Sequence, residues 1–177
     1  MRILLFVALL LIAPAYAQEN TAPSLDESTK WISEKVLAMA GGKSEKDGSS
    51  FRLEYTEFKF DRCSLLFKTA FTGNKGLAKM MGIMTETYLV LGDLDPEKIT
   101  VLKVGDAYQV KLLAANGQRK IVVKTETEIP ALPGPPTTQS ESKAETLVVF
   151  NDAQMAERIA KAFTHAVTLC RKQKEPF

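Results

Sequence analysis

The sequence predicts an α+β protein in which a run of antiparallel strands lies between two helices. Residues 24–40 and 152–173 combine helix start signals with a helical apolar period. The chain between them alternates apolar and polar residues with a period of two, and short turn signals separate the alternating segments. Residues 24–177 are long enough to form one domain around a single core.

The first residues are typical of a secretory signal peptide. Arg2 is a short positive segment, residues 3–12 are all apolar, and residues 15–17 (Ala-Tyr-Ala) form a small-x-small cleavage site. We expect cleavage after Ala17, a polar tail over residues 18–23, and a secreted or periplasmic protein. The alternative, an uncleaved membrane anchor, needs roughly 18 apolar residues, and this run is shorter.

The charges of the chain are balanced. Removing Arg2 with the signal peptide leaves 22 basic and 21 acidic side chains. A nucleic-acid-binding domain needs a clustered basic excess, so we expect no nucleic-acid partner. Residues 171–174 (Arg-Lys-Gln-Lys) are basic, but charges at this end of a helix complement its dipole. We therefore expect only weak contact with a membrane surface.

The N-terminal helix is predicted from its caps and its apolar stripe. Ser24 and Glu27 form an S-x-x-E capping box, and Gly41-Gly42 provides a left-handed stop. The stripe consists of Leu25, Ile32, Val36 and Met39.

The β region is predicted to begin at Phe51, after a loop over residues 43–50. Alternation over residues 51–60 changes phase near Thr56-Glu57, which indicates a β-bulge. A tight turn at Asp61-Arg62 then leads into a strand that starts at Cys63 and runs to residue 71. Five further strands are expected at residues 83–91, 99–104, 108–115, 119–125 and 145–150.

Turn signals connect these strands. Asn116-Gly117 between two apolar runs predicts a hairpin, and Gly105-Asp106 predicts a second short turn. Residues 72–82 are interpreted as a loop with a short helical turn. Residues 128–143 are rich in Pro, Thr and Ser, so we expect a mobile loop there.

The last helix, residues 152–173, has the clearest start signals in the chain. Asn151 is the expected N-cap, Gln154 completes a capping box, and Phe150 with Met155 fits a hydrophobic staple. One face carries Met155, Ile159, Ala162, Ala166 and Leu169, with Cys170 in the same stripe.

The single histidine and the two cysteines decide whether the chain is read as an enzyme. His165 lies about 140° around the helix from Cys170, whereas side chains that share a metal or a proton need a spacing of three or four residues. His165 is therefore interpreted as a solvated or half-buried helix residue. Catalysis by Cys63 with a distant His165 is the least favoured interpretation.

Cys63 and Cys170 are both predicted in core-like positions of an exported chain, where a disulfide is permitted. A Cys63–Cys170 bridge would close a loop of about 100 residues and contribute up to roughly 4–5 kcal/mol on the chain-entropy model. Two separate buried thiols are the alternative. Cys170 is structural in either case.

No motif for catalysis, for a cofactor or for a metal is recognised. The G-x-S-x-G and Walker patterns are absent from the sequence. Asp93, Asp95 and Glu97 alternate as calcium ligands do, but an EF-hand glycine and its bidentate glutamate are missing, and Asp95-Pro96 predicts a turn. A hydrolase that uses Asp93 or Asp95 remains an alternative.

The order of these elements resembles the pleckstrin-homology-like (PH-like) barrel, in which a final helix closes one end of a seven-stranded barrel. The segments FDRCSLLFK (60–68), LGDLDPEKI (91–99) and FNDAQMAERIAKAFTHAVTLC (150–170) are similar to those of small exported bacterial proteins of unknown function. The resemblance covers residues 51–171 and implies a seven-stranded antiparallel barrel or sandwich capped by the last helix. The N-terminal helix is an addition.

The resemblance also shapes the expected function. The turn at Asp61-Arg62 is too short for the basic signature of phosphoinositide-binding members, and Phe163 stands where the last helix typically has tryptophan. Because this fold hosts mostly binding modules, we predict an exported, non-enzymatic interaction module. Its protein or peptide partner would meet exposed strand edges or the loops at 72–82 and 128–143.

The alternative function is a small-molecule or lipid carrier whose cavity is lined by Phe51, Tyr55, Phe58 and Phe67. Neither the partner nor the oligomeric state is specified by the sequence.

Overall fold

The computed structural model describes residues 22–46, 49–73, 82–128 and 135–174. In these residues two helices and nine antiparallel strands form an α+β fold, which confirms the predicted class. The predicted signal peptide, its cleavage point at Ala17 and the tail up to residue 21 lie outside the described residues. Within the described part of the chain, no helix is long and apolar enough to span a membrane.

The first helix, α1, spans Leu25–Met39 and has the predicted capping box. The Ser24 hydroxyl accepts a hydrogen bond from the Glu27 backbone N–H at 3.2 Å, and the Glu27 carboxylate accepts one from the Ser24 N–H at 2.8 Å. After the helix, Gly41 has a φ of 104°. A Cβ at this position would collide with the Leu53 carbonyl, so the chain can leave α1 in this direction only through glycine.

The second helix, α2, spans Ala153–Lys174, and its N-cap differs from the prediction. The Asp152 carboxylate accepts a hydrogen bond from the Met155 N–H at 2.6 Å, and the Asp152 carbonyl accepts one from Ala156 at 3.1 Å. The predicted N-cap Asn151 is therefore wrong by one residue, and the Asn151–Gln154 capping box is wrong with it. Phe150 and Met155, the predicted staple, are both buried in the core. Asp152 is also a good cap, and its charge is favourable at the positive pole of a helix.

Six strands form the larger sheet, in the order β1-β2-β3-β4-β7-β8. They are β1 (Gly42–Lys46), β2 (Ser49–Asp61), β3 (Ser64–Gly73), β4 (Gly82–Val90), β7 (Ile121–Glu128) and β8 (Thr137–Lys143). All neighbouring strands in this sheet are antiparallel.

The predicted bulge in β2 is confirmed. Tyr55 pairs with Thr69 and Glu57 pairs with Lys68, so Thr56 is the extra residue. The bulge shifts the alternation by one position, and as a result Phe58 is buried on the same face as Tyr55.

Three strands form the smaller sheet, in the order β5-β6-β9: β5 (Thr100–Val104), β6 (Ala107–Leu113) and β9 (Glu145–Phe150). The predicted turn at Gly105-Asp106 joins β5 to β6, and Gly105 has a φ of 59°. Asn116-Gly117 is also a left-handed turn, with φ of 57° and 65°, but the predicted hairpin is wrong. Because β6 is paired on both sides, the chain crosses to the larger sheet, where β7 pairs with β4.

Two strands occur where none was predicted. β1 lies in the predicted loop 43–50, and β8 lies in the predicted mobile segment 128–143. Both are outermost strands of the larger sheet and lack apolar alternation, so only the ladder to a neighbouring strand defines them. Residues 129–134 and residues 74–81, the centre of the predicted loop 72–82, lie outside the described residues.

The sheets are not closed into a barrel. The seven predicted strands are all present, and the polar β1 and β8 are added to them at the edges of the larger sheet. Isolated bridges connect Ala40 with Phe150 and Leu94 with Ala114, instead of a continuous ladder between the two sheets.

The core lies between the inner faces of both sheets and the two helices. The Phe58 and Phe67 rings stack at 5.3 Å between centroids, and Phe163 of α2 contacts Phe58 edge-on at 6.4 Å. Each fully buried side chain of this size contributes about 1.5–3 kcal/mol relative to an exposed one. The buried face of α2 contains Ala156, Ile159, Phe163, Ala166, Val167 and Cys170.

One buried hydroxyl joins the two sheets. The Tyr55 hydroxyl, on β2, accepts a hydrogen bond from the Val149 N–H at 3.1 Å and donates one to the Leu147 carbonyl at 3.4 Å. These backbone groups belong to β9, the last strand of the smaller sheet, so Tyr55 takes the place of a neighbouring strand there. Burial raises the pKa of Tyr55 to about 12, because the phenolate would lose its hydration.

Replacing Tyr55 with phenylalanine should lower the free energy of unfolding by about 1–2 kcal/mol, because the β9 edge loses its partner. Urea denaturation measures this loss. The matched control is Tyr88→Phe, which removes an exposed hydroxyl that bonds Ser64 at 3.2 Å, and it should change stability by less than about 0.5 kcal/mol. Equal losses in both variants would contradict the bridging role of Tyr55.

Stability should also depend on alkaline pH through Tyr55. Its folded pKa of about 12 lies above the ordinary value of 10.0, so folding holds the proton more tightly than the unfolded chain does. The stabilisation that protonated Tyr55 gives to the fold is therefore complete below pH 10.0 and is lost as the pH rises through about 12. Tyrosinate absorbance should show a late step that is absent in Tyr55→Phe, and a titration without such a step in the wild type would contradict the assignment.

Candidate functional site

The two cysteines form a disulfide, as the bridge interpretation predicts. The Cys63 and Cys170 sulfurs are 2.07 Å apart and their Cα atoms 5.7 Å apart. Cys63 lies in the turn between β2 and β3, beside Arg62 with its φ of 51°, and not at the start of a strand. The alternative of two separate thiols is wrong, and in this oxidised state neither sulfur is a nucleophile.

His165 is half-buried on α2, in agreement with its interpretation as a helix residue. Its Nε2 lies 2.7 Å from the carbonyl oxygen of Pro23, just before α1. The contact attaches the chain that enters α1 to the side of α2. His165 therefore has a structural contact, while the Cys63 sulfur is held in the disulfide.

The acidic residues after β4 cap a 3-10 turn and form ion pairs with lysines. The Asp95 carboxylate accepts a hydrogen bond from the Glu97 N–H at 3.2 Å at the start of a 3-10 turn, and it pairs with Lys98 at 3.3 Å. The Asp93 carboxylate contacts Lys120 at 3.2 Å. Asp93 and Asp95 thus bind separate lysines. No group of three or more metal-ligating side chains is found in the ranges that the structure describes.

The aromatic residues proposed for a carrier cavity fill space instead of lining it. The Tyr55 ring lies 6.0 Å from Phe67 and 6.3 Å from Phe58, and all three side chains are buried. Phe51 is separate and stacks on Phe71 at 5.7 Å near the surface. These contacts favour a solid core over a ligand cavity at this place.

A row of alternating charges crosses the outer face of the larger sheet. Lys68 lies 3.0 Å from Glu57 and 3.4 Å from Glu86, and these three residues come from neighbouring strands. Hydrogen bonds from Lys59 and Lys68 lower the pKa of Glu57. Hydrogen bonding to Glu57 raises the pKa of Lys68. Because these charges neutralise one another, the row is a poor site for a charged ligand.

Exposed apolar side chains lie beside this charged row. Tyr88 and Val122 pair across β4 and β7, and each is 42% exposed. A shallow depression of about 250 Å³ is lined by Lys68, Met84, Thr85, Glu86, Lys124 and Glu126. The described part of the outer face can therefore contact a partner's side chains through a shallow surface.

A wider groove of about 540 Å³ lies between the end of α1 and strands β1 and β2. Exposed Leu37 and Met39 stand on its helical wall, while Arg52 and Glu54 on the other wall form an ion pair with each other. Arg52 and Glu54 are thus engaged with each other across the strand wall of the groove.

The strand edges are the most distinctive surfaces of this fold. The outer edge of β9 is occupied by Tyr55 and by Gly41, whose N–H donates to the Val149 carbonyl at 2.8 Å. β8 ends the larger sheet and every one of its side chains is exposed. β5 ends the smaller sheet, and its Leu102 and Val104 side chains are also exposed.

Exposed strand edges were predicted in general terms as the surface that meets a partner. The sequence did not predict that residues 137–143 form such an edge strand, β8. Residues 137–143 have no apolar alternation, and the prolines before them suggested a mobile segment. The short hydroxyl-rich run without glycine or proline was the only signal that a strand could form there.

Removing the disulfide should cost about 2–5 kcal/mol of unfolding free energy, because it closes a loop with a sequence separation of 107. The variant is Cys63→Ser with Cys170→Ala, and guanidinium denaturation is the measurement. The unfolding free energy of wild-type protein treated with a reducing dithiol should fall by a similar amount. Unchanged midpoints in both samples would show that the bridge does not constrain the unfolded chain.

Comparison with known proteins assigns no family. No family model, no curated protein and no solved structure matches this chain. The function must therefore be argued from the surfaces described above.

Proposed function

We propose that this chain is an exported, non-enzymatic interaction module that binds an extended protein or peptide segment along the edge of β8. The supporting observation is the edge itself. Thr137–Lys143 is the last strand of the six-stranded sheet, and all of its side chains are exposed. An extended segment added there would gain backbone hydrogen bonds along the strand as far as Ser142, whose carbonyl already accepts one from the Arg119 side chain at 2.6 Å.

The side chains of β8 suit such an addition. Ser140 and Ser142 are small, and they pair with Lys124 and Val122 on β7. A partner strand beside β8 would therefore place its side chains next to short hydroxyl groups, with the exposed Val122 on the next strand beyond them. A long apolar side chain in the partner can lie over these short side chains towards Val122, whereas Lys124 is engaged by Glu126 at 2.8 Å.

The polar sequence of β8 also limits wrong associations. Apart from the Glu141–Lys143 ion pair at 2.9 Å, the strand carries only hydroxyl and amide side chains. Edges of this kind resist indiscriminate aggregation, because they lack the flat hydrophobic surface on which unrelated chains pair. This property is appropriate for a binding surface that faces solvent.

Export is part of the proposal. The expected signal peptide and the disulfide both fit an oxidising compartment, periplasmic or extracellular. Intact-mass spectrometry of protein from an exporting host should give a chain that begins at Gln18 and lacks one pair of hydrogens relative to the reduced form. A mass that includes residues 1–17 would contradict cleavage after Ala17.

A PH-like arrangement is also proposed. The final helix packs on β6 of the smaller sheet, and its Phe163 contacts Phe58 and Phe60 of the larger sheet. A closing helix in such a fold would make contacts of this kind. The open sheets and the added β1 and β8 depart from the closed seven-stranded form.

Peptide selection tests the proposed function. A library of displayed random peptides is selected on the oxidised protein, and binders are measured against Gln139→Pro and Ser140→Pro. Because alternate residues of a strand direct their N–H groups to opposite sides, one proline removes an edge donor and the other breaks a bond to β7. The proline variant that keeps the thermal stability of the wild type is the one that has lost only the edge donor. It should bind the selected peptides at least about tenfold more weakly than the wild type does.

The matched controls are Gln139→Ala and Ser140→Ala, which keep the backbone N–H and should bind within about twofold of the wild type. If the selected peptides bind the variant with proline at the edge donor as tightly as they bind the wild type, the peptide site lies elsewhere on the surface. Steady hydrolase activity of the purified protein on a broad substrate panel would contradict the non-enzymatic part of the proposal.

A further inference from the structure

The edge of β5 is open and, unlike that of β8, apolar. Among the residues that the structure describes, β5 is the outermost strand of the smaller sheet, and only β6 pairs with it. Leu102 is 43% exposed and Val104 is 53% exposed, and the two side chains lie two residues apart on one face of the strand. Exposed apolar edge strands are rare in soluble proteins unless something pairs with them.

The turn after β5 determines which backbone groups face outward. Gly105 and Asp106 form a two-residue loop between the closing pair Val104 and Ala107. In such a hairpin the closing pair exchanges hydrogen bonds, so Val104, Leu102 and Thr100 direct their N–H and C=O groups to β6. Val101 and Lys103 therefore direct theirs to the open edge.

The lysine on this edge does not block it. A lysine on an edge strand usually prevents pairing with another chain. Here the Lys103 ammonium lies 5.9 Å from the centre of the Tyr108 ring, on the side chain of the opposite residue in β6. A contact of this kind holds the charge over the sheet face and away from the edge.

We propose that two copies of this chain pair antiparallel through β5, with the twofold axis at Leu102. In this register Val101 of each copy exchanges both backbone hydrogen bonds with Lys103 of the other, which are the residues that face the edge. Leu102 meets Leu102 of the second copy, and Val104 lies opposite Thr100. The exposed apolar side chains thus cover one another, and the two smaller sheets become continuous.

Charge complementarity selects this register. Lys98 ends the 3-10 turn before β5, where it pairs with Asp95 at 3.3 Å, and Asp106 lies in the turn after β5; both are exposed. Pairing about Leu102 brings the turn that contains Asp106 of each copy towards Lys98 of the other, at both ends of the contact, where Asp106 can add a second carboxylate beside this ammonium.

Neighbouring registers lack this match. Pairing about Lys103 would place two lysines opposite each other, which is unfavourable. Pairing about Val101 would leave Asp106 opposite Pro96.

Sedimentation equilibrium of the full oxidised chain tests the proposal. A single five-residue strand makes a small interface, so the expected dissociation constant lies between about 1 μM and 1 mM. Leu102→Asp places two carboxylates together at the axis and should leave only monomer. The matched control is Leu37→Asp on α1, where the side chain is 48% exposed, and it should dimerise as the wild type does.

A charge exchange keeps the test valid even if Leu102→Asp fails to fold. Lys98→Asp and Asp106→Lys should each weaken dimerisation at least about fivefold, and the double variant should restore it. A wild-type chain that is monomeric up to about 1 mM would overturn the proposal. So would a dimer that persists in Leu102→Asp, or a double variant that dimerises no better than the single ones. Peptide binding at β8 is not involved in any of these outcomes.

Discussion

The buried face of α2 is the contact on which the rest of the structure depends. This helix packs against α1, against β6 of the smaller sheet and, through Phe163, against β2 of the larger one. The disulfide from Cys170 to Cys63 fixes its last turns to the turn between β2 and β3. Since α2 contacts both inner faces, the sheets share one apolar core without a ladder of hydrogen bonds that closes them.

An unclosed pair of sheets leaves edges that must be satisfied, protected or used. Tyr55 and Gly41 satisfy the edge of β9, and the polar side chains of β8 protect its edge against nonspecific pairing. β5 has neither protection, since Leu102 and Val104 are exposed and Lys103 is held over Tyr108. The proposed interactions follow from this difference: selective peptide binding at a polar edge and self-association at an apolar one.

Local signals predicted the local features of this fold, and pairing between distant strands decided the others. The α1 capping box, the bulge at Thr56 and the Cys63–Cys170 bridge could be predicted because each has its own residue signature. β8 could not, because its polar run becomes a strand only through its ladder to β7. The prediction of a hairpin at Asn116-Gly117 was wrong for a similar reason, because β5 and β9 pair with the two sides of β6.

The β5 and β8 edges lie in different sheets, and this separation has a functional consequence. Pairing through β5 would leave β8 free in each copy, so a dimer would present two peptide-binding edges related by the twofold axis. A partner with repeated extended segments would then bind both edges, and the second contact would form at a high effective concentration. Even a modest affinity at each polar β8 edge would become strong binding to such a partner, whereas isolated single segments would be held only briefly.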